Sequence, residues 1–502
     1  MSHHGQIQDP DNRGGIRQRT IRRSIQKQRE RQMSDSATDA DVDDSADARL
    51  ADSIVLRTST IAAANPTWLN KWTSNPLLAI SCNLLDPFDT LCESPIRLQQ
   101  LLRHPSAKSV GEPLFRIDEH TNYVLFQSLH SEASSMPLLA DKASFHALSL
   151  LLALAANSHK PNYETMYHRG QVLEPLNLDL SLSDAGVPSL QTITAILMLI
   201  SYEYRVQDTM PVPTNAATHI RGLQSIINQR SISTSGHNHA RIKQIQRALF
   251  WQDIICSLAT GTPRLLQLDN HDFFTRLRED QTYRSYFALP QGFKIHADGW
   301  PATSSTVFED LNAMCRLVDR IHGQEITTLH PDHDVVSIPL MEDLDDEGYP
   351  VYNSQADLEI RLVDLLSKTA RGGTQKQEDL IYRACLFAAY LCTYRLSSGV
   401  WAGHFAPEIC VTEILNCMTA FTRHMSPWNF APIISLWLLH VAGGLTKSQL
   451  HRDKAAVLVK RYRSFYSSGY SLDWEVVKLK LKEFIWCERA MAKPLNNFWQ
   501  QC

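Results

Sequence analysis

A chain of 502 residues and 56.9 kDa is longer than one compact core usually holds, since single cores stop growing near roughly 250–300 residues. Hydrophobic residues at 43% and charged residues at 20% sit near globular averages and exclude wholesale disorder or a coiled rod; 20 glycines and 23 prolines exclude a collagen-like chain. The formal charge of −4 names no partner, but the charge is unevenly placed.

Residues 1–60 differ from everything after them. A basic tract comes first, Arg13, Arg17, Arg19, Arg22, Arg23, Lys27, Arg29 and Arg31, with Glu30 as its only acid. An acidic, Ser/Ala-rich tract follows, Asp35, Asp39, Asp41, Asp43, Asp44, Asp47 and Asp52. Neither holds enough large apolar residues to offset the entropy of ordering, so a disordered tail is expected. The basic tract fits an importin groove as a nuclear localisation signal. Against nucleic acid it offers only weak, sequence-blind phosphate contact, and without aromatics it has nothing to stack on bases. The first residues, MSHHGQIQDPDNRGG, have no apolar run, so no signal peptide is expected.

From residue 65 to 500 the composition turns globular and the periodicity helical. Helices are predicted at 92–103, 118–134, 142–158, 163–173, 188–204, 214–229, 240–260, 271–288, 355–369, 376–396, 408–424, 430–442, 447–467 and 473–491. In 188–204, Ile193, Ile196, Leu197, Ile200 and Tyr204 recur at helical spacing. In 240–260, Phe250, Trp251, Ile254, Ile255 and Leu258 make one stripe, which Gly261 can close with a left-handed cap and Pro263 blocks from continuing. Ile433, Ile434, Trp437, Leu438 and Val441 repeat the pattern, with Gly443-Gly444 predicted as the stop. Thr446/Gln449 and Thr306/Glu309 have capping-box spacing.

Alternating strands are nearly absent; VVSIPL at 335–340 is too short to build a sheet. An acidic stretch at 322–352 reads as a loop between two helical halves. The predicted fold class is all-α, an extended irregular multi-helix domain with two lobes behind a disordered tail. The longest apolar runs, 147–156 and 430–445, fall short of the roughly 20 residues that span a bilayer, so no membrane partner is expected.

Ten cysteines contain no C-x-x-C and no structural zinc spacing, and most lie in apolar helical runs, which fits a reducing compartment. Phosphate-loop, dinucleotide, nucleophile-elbow and H-E-x-x-H motifs are all missing. His330, Asp332, His333 and Asp334 form the best metal-like cluster, yet no helix fixes their geometry and a solvated acidic loop is the plainer reading. His237 and His239 read as a surface turn, His440 as a core histidine, and Asp253 as a paired structural acid or a helix-surface charge. No catalytic residue, metal or cofactor is expected.

Order along the chain carries more. Asp86-Pro87-Phe88 opens it, followed by HIRGLQSIINQR with Arg221 and Gly222, then ALFWQDIICSLATGTPRL with Phe250, Trp251, Asp253, Gly261 and Pro263, and PIISLWLLHVAGG with Trp437, Gly443 and Gly444. This succession resembles the fungal-specific transcription factor regulatory domain, the helical region behind zinc binuclear-cluster modules, over roughly residues 84–500. The resemblance implies an all-helical, non-catalytic region in the nucleus that gates a regulator's activity. The implied partners are transcription machinery or partner transcription factors, and a small apolar effector held between helices. No cysteine precedes Cys82, so the six-cysteine zinc module and its DNA specificity are not carried over. Trp474, Val477, Leu481, Phe484 and Ile485 in 473–486 read mainly as core, with a homodimer face as the other option. The competing class is a cytosolic helical scaffold unrelated to transcription.

Overall fold

In a computed structural model the chain divides between Ile80 and Ser81, and every residue described belongs to the second unit, Ser81–Cys502. The structure describes residues 95–117, 124–126, 141–182, 189–206, 214–231, 237–266, 272–325, 354–369, 377–396, 405–423, 432–462 and 473–502. The basic and acidic tracts, Asp86, Pro87, Phe88, VVSIPL and the cluster His330, Asp332, His333 and Asp334 lie outside these. The regular elements of the described residues are helices apart from one antiparallel pair of short strands, and they are organised around two hydrophobic cores.

The first core forms around α2 (Lys142–Ala156). Its run ALSLLLALAA leaves no polar face, and a helix apolar all round must be enclosed; Ala143 to Ala155 are all buried. Each leucine so enclosed contributes about 1.5–3 kcal/mol relative to exposure. The Asp141 side chain caps the helix by accepting from Ser144 N at 2.8 Å. Around it lie α1 (Pro95–Leu102), α3 (Tyr163–Leu182) and α4 (Leu190–Arg205), with α5 (Thr214–Ser231) packed on α4. The predicted stripe of α4 is buried in full, Ile193, Ile196, Leu197, Ile200 and Tyr204. Ser189 supplies its N-cap, accepting from Thr192 N at 3.1 Å.

The next helix, α6 (His237–Thr260), belongs to both cores. Ile245, Ala248, Leu249, Ile255 and Cys256 face the first; Phe250, Trp251, Ile254 and Leu258 face the second. The single stripe expected from the sequence is therefore two, and Ile255 sits on the other side from Ile254. The second core continues through α7 (Asp272–Glu279), the single turn α8 (Gln291–Lys294), α9 (Ala302–Glu325), α10 (Ser354–Thr369), α11 (Gln377–Leu396) and α12 (Phe405–Arg423). It ends with α13 (Pro432–Leu445), α14 (Gln449–Arg461), α15 (Trp474–Leu481) and α16 (Glu488–Trp499). Trp437 of α13 is wholly buried among Phe293 and Phe484, with its Nε1 donating to Ile485 O at 3.2 Å. Asp310, 1% exposed, is held by Arg278 of α7 at 2.7 Å and Arg361 of α10 at 2.6 Å, which ties three helices through one carboxylate.

Several expected boundaries give way to specific contacts. The helix predicted at 118–134 is contradicted by β2 (Val124–Phe126), paired antiparallel with β1 (Phe115–Ile117) in the register Phe115↔Phe126. Its aromatic and β-branched residues suit a pleated pair as well as a helix face. The helix predicted at 271–288 ends at Glu279, where Asp280 bonds Thr282 N at 2.8 Å and turns the chain. That predicted at 473–491 breaks after Leu481. Asp319 of α9 then restarts it by capping α16, accepting from Glu488 N at 2.8 Å and Arg489 N at 3.1 Å. Conversely, α3 runs on through Pro175 to Leu182, and His237 and His239 stand inside α6 instead of a turn. Thr306 is interior to α9, and Ser448, not Thr446, is the N-cap of α14.

Gly443 and Gly444 do not stop α13, which continues to Leu445. They open its surface to α16. A Cβ at Gly443 would stand 2.3 Å from the Phe498 ring, and one at Gly444 2.8 Å from Leu495. Of the apolar residues singled out in 473–486, Val477, Leu481, Phe484 and Ile485 are buried and Trp474 is partly buried; the exposed apolar residues on α15 are two others, Val476 and Leu479.

Two glycines thus make opposite predictions. Gly443→Ala should destabilise the protein by about 1–3 kcal/mol, because the buried Phe498 ring has nowhere to move. Gly222→Ala, with nothing within 4 Å of the new methyl, should stabilise it by up to ~1 kcal/mol through helix propensity. Thermal melts of the two variants beside the parent check both signs.

Candidate functional site

Three of the motif residues, Asp253, Gly261 and Pro263, come together at the end of α6. The helix closes with Gly261 at φ 66°, a left-handed conformation that glycine adopts without steric cost. The chain then turns back, and Asp253 collects its amides. The carboxylate accepts from Leu265 N at 3.0 and 3.2 Å and from Leu266 N at 3.0 Å. Burial pushes the Asp253 carboxyl up, and the amides and Arg264 act in the other direction. Asp253 is 2% exposed and so no helix-surface charge, and the partners it holds are backbone amides of its own loop. Pro263 lies in the same loop, and Ser257 Oγ donates to Thr262 O across it. Arg264 then forks onto Asp364 of α10 at 2.9 and 3.0 Å, a bidentate pair that fixes the loop to the second core.

Arg221 and Gly222 are exposed on α5. Arg221 nonetheless meets this loop across a shallow groove of about 430 Å³ between α5 and Leu265-Leu266. Two motifs well separated in sequence thus share one surface feature. Phe250, Trp251 and Trp437 are buried and Gly443 and Gly444 are packed under α16, so those positions are architecture.

A second constellation, invisible in the sequence, stands where the two cores meet. Glu112, 4% exposed, lies in the turn leading to β1. Its Oε1 accepts from Tyr394 OH of α11 at 2.7 Å, and its Oε2 from Phe405 N at 2.9 Å and Ala406 N at 3.4 Å at the start of α12. A carboxylate at a helix N-terminus is favoured by the free amides and the dipole. Arg205, at the end of α4, donates to the Glu112 carbonyl at 2.6 Å and stacks over the Phe405 ring, 4.0 Å from its centroid. Burial pushes the Glu112 carboxyl up, opposed by Tyr394, Arg205 and the two amides.

One layer further in, Glu359 of α10 accepts from Tyr390 OH at 2.5 Å and Gln355 Nε2 at 2.6 Å. Burial, with the Glu112 charge adding to it, lifts this carboxyl from 4.5 to about 7. His159 falls to about 4, through burial and then the nearby Arg205 charge. Perturbed acids in a cleft would suggest chemistry. Glu112 and Glu359 line neither the α5 groove nor the cavity described next, and their hydrogen bonds tie β1's leading turn to α11 and α12 and α10 to α11.

That second cavity, about 390 Å³, lies between the start of α9, the end of α10 and the start of α11. Trp300 and Tyr382 form one wall, their rings 5.3 Å apart and inclined at 42°. Among the described residues no group of three or more His, Cys, Asp or Glu could hold a metal ion, and no helix is long and apolar enough to cross a membrane. His440 is a core histidine whose Nδ1 lies 2.8 Å from Leu436 O, and burial lowers it to about 4. The thiols of Cys256, Cys315, Cys385, Cys392, Cys410, Cys417 and Cys487 are buried and free; burial pushes them all up, which leaves them unreactive.

A family model described as a fungal specific transcription factor domain matches residues 116–478. No curated protein and no solved structure matches the chain.

The Glu359 carboxyl makes stability depend on pH. Its folded value lies above 4.5, so its contribution is full below that and is lost as pH rises through about 7. Glu359→Gln should therefore unfold at a higher temperature than the parent near about pH 8, and lose that advantage near about pH 5, a difference of up to ~3 kcal/mol. Melting curves for both proteins across that range read the crossover, and parallel curves would refute it.

Proposed function

Because the chain belongs to the fungal specific transcription factor domain family, we propose that this transcriptional regulator is nuclear and non-catalytic and works through protein contacts made by its helical region. The observation that carries the reading is the family match over 116–478, which takes in most of both cores. The Glu112–Tyr394–Arg205 seam supports it. Two apolar cores that share α6 and also meet at this polar seam can pass a change at one surface to the other by small shifts of packed helices. In this reading DNA is addressed by a partner transcription factor, and the contacts with the machinery are made by the exposed helix faces.

Import falls to the basic tract, whose Arg22 and Arg23 stand at its centre. The α5 groove, with Arg221 on its rim, is the surface that joins two family motifs and is our choice for a protein contact. Absence of a reacting centre is part of the same proposal, and the buried, unreactive thiols fit it.

Two measurements test this reading. Residues 1–50 fused to a fluorescent protein should accumulate in nuclei, and Arg22→Ala with Arg23→Ala should abolish accumulation. The full chain tethered to a heterologous DNA-binding domain should raise or lower a reporter driven by that domain's site. Cytosolic residence of the full chain together with a flat reporter would favour the scaffold class instead.

A further inference from the structure

The cavity between α9, α10 and α11 has the make-up of a binding site. Its volume, about 390 Å³, falls within the roughly 300–1,000 Å³ of small-molecule sites. Its aromatic wall is held rigid. The Tyr382 hydroxyl is pinned to Ser304 Oγ at 2.6 Å, and the half-buried Trp300 ring packs against Phe293, Phe308 and the stacked His296. Arg383 is already committed, donating to Glu413 at 2.9 Å with its guanidinium 5.4 Å from the Phe387 ring. A wall fixed in this way pays little ordering entropy when a ligand arrives.

The rim carries both signs. Lys368 stands at the last turn of α10 and Glu378 at the first turn of α11, so they approach the cavity from different helices. Both are exposed, and neither has a hydrogen-bond or ion-pair partner among the described residues. Each charge suits the dipole of its own helix end, which explains why it is tolerated there. Helix dipoles alone do not set the two charges around one aromatic-walled cavity. An apolar effector, the class expected from the sequence, would leave both charges unused. A simple anion would meet Glu378 and Asp379, and a simple cation would meet Lys368 and Arg383.

We propose that this cavity binds a zwitterionic ligand of amino-acid size, with its carboxylate toward Lys368, its ammonium toward Glu378 and an apolar side group against Trp300 and Tyr382. The proposal rests on the reading of the helical region as regulatory and adds the class of effector it senses. Binding there would bridge the end of α10 to the start of α11, and the same two helices carry Glu359 and Tyr394 to the seam.

Isothermal titration calorimetry of the full chain tests it, with L-phenylalanine, L-leucine, L-methionine and L-tyrosine as probes. At least one should bind with one-to-one stoichiometry. Its N-acetyl and methyl-ester derivatives, each lacking one charge, should bind at least ~10-fold more weakly, the loss of a single charge-assisted contact. Lys368→Ala and Glu378→Gln should weaken binding by a similar factor, and because both side chains are exposed their melting temperatures should match the parent. Silence from all four probes, equal affinity for the capped derivatives, or affinity unchanged in both variants would overturn the assignment. A silent titration beside a responsive tethered reporter removes only the ligand site, whereas binding beside a flat reporter removes the regulatory reading.

Discussion

Helix α6 cannot be withdrawn from either core without exposing the face it gives to that core, and this constraint organises the molecule. Ile245, Leu249 and Ile255 fill the first core, while Phe250, Ile254 and Leu258 fill the second. A helix apolar on opposite faces must be enclosed on both, so the two cores are bound together by the hydrophobic effect itself. Ending such a helix is a problem in its own right, because its last carbonyls and the loop amides are partly shielded from water. Gly261, Asp253 and the Arg264–Asp364 fork solve it together, turning the chain sharply and satisfying the amides of Leu265 and Leu266.

The seam shows how the remaining freedom is restricted. Taking a carboxylate such as Glu112 out of water costs several kcal/mol. Three donors and a neighbouring guanidinium offset that cost, and hydrogen bonds to a charged group contribute about 1.5–3 kcal/mol each. Glu359 is pushed up first by burial and then by the like charge of Glu112, with two donors acting against them, so its neutral form is favoured up to about 7. Two buried acids, differently supported, divide the work. Glu112 joins the cores through donors from two helices and the Arg205 contact, and Glu359 fills the space behind it at lowest cost when protonated.

Periodic burial was legible in the sequence because it repeats locally. The stripe Ile193, Ile196, Leu197, Ile200, Tyr204 needs only 3.6 residues per turn to be seen. Interruptions were not legible where the same period ran across them. Val477, Leu481, Phe484 and Ile485 keep helical spacing through the break after Leu481, and the group that starts the next helix is Asp319, 169 residues before Glu488. Glu112 was less legible still. Tyr394 and Phe405 lie 282 and 293 residues away, so nothing around Gly111-Glu112-Pro113 marks a buried acid. The cavity is equally hidden, since its walls come from three helices. A Gly pair misled for a different reason. Glycine ends helices through φ, but at Gly443 and Gly444 it serves by having no side chain, and sequence alone does not separate the two uses.

The positions that carry the family resemblance fall mostly into the first kind of work. Asp253 and Gly261 close a helix, Trp437 fills a core, and Gly443 and Gly444 admit Phe498 and Leu495. Such residues identify a fold because they are what its packing demands, and for that reason they say little about what the folded surface meets. Arg221 is different: exposed on α5 yet set beside the Asp253 loop, it depends on the architecture for its position but not for its burial. The same holds for Lys368 and Glu378, which have no partner among the described residues and stand at the ends of two helices whose other residues hold the seam. Control in a domain of this kind must enter through groups that the core positions but does not consume, and those are the side chains on which its chemistry has to be sought.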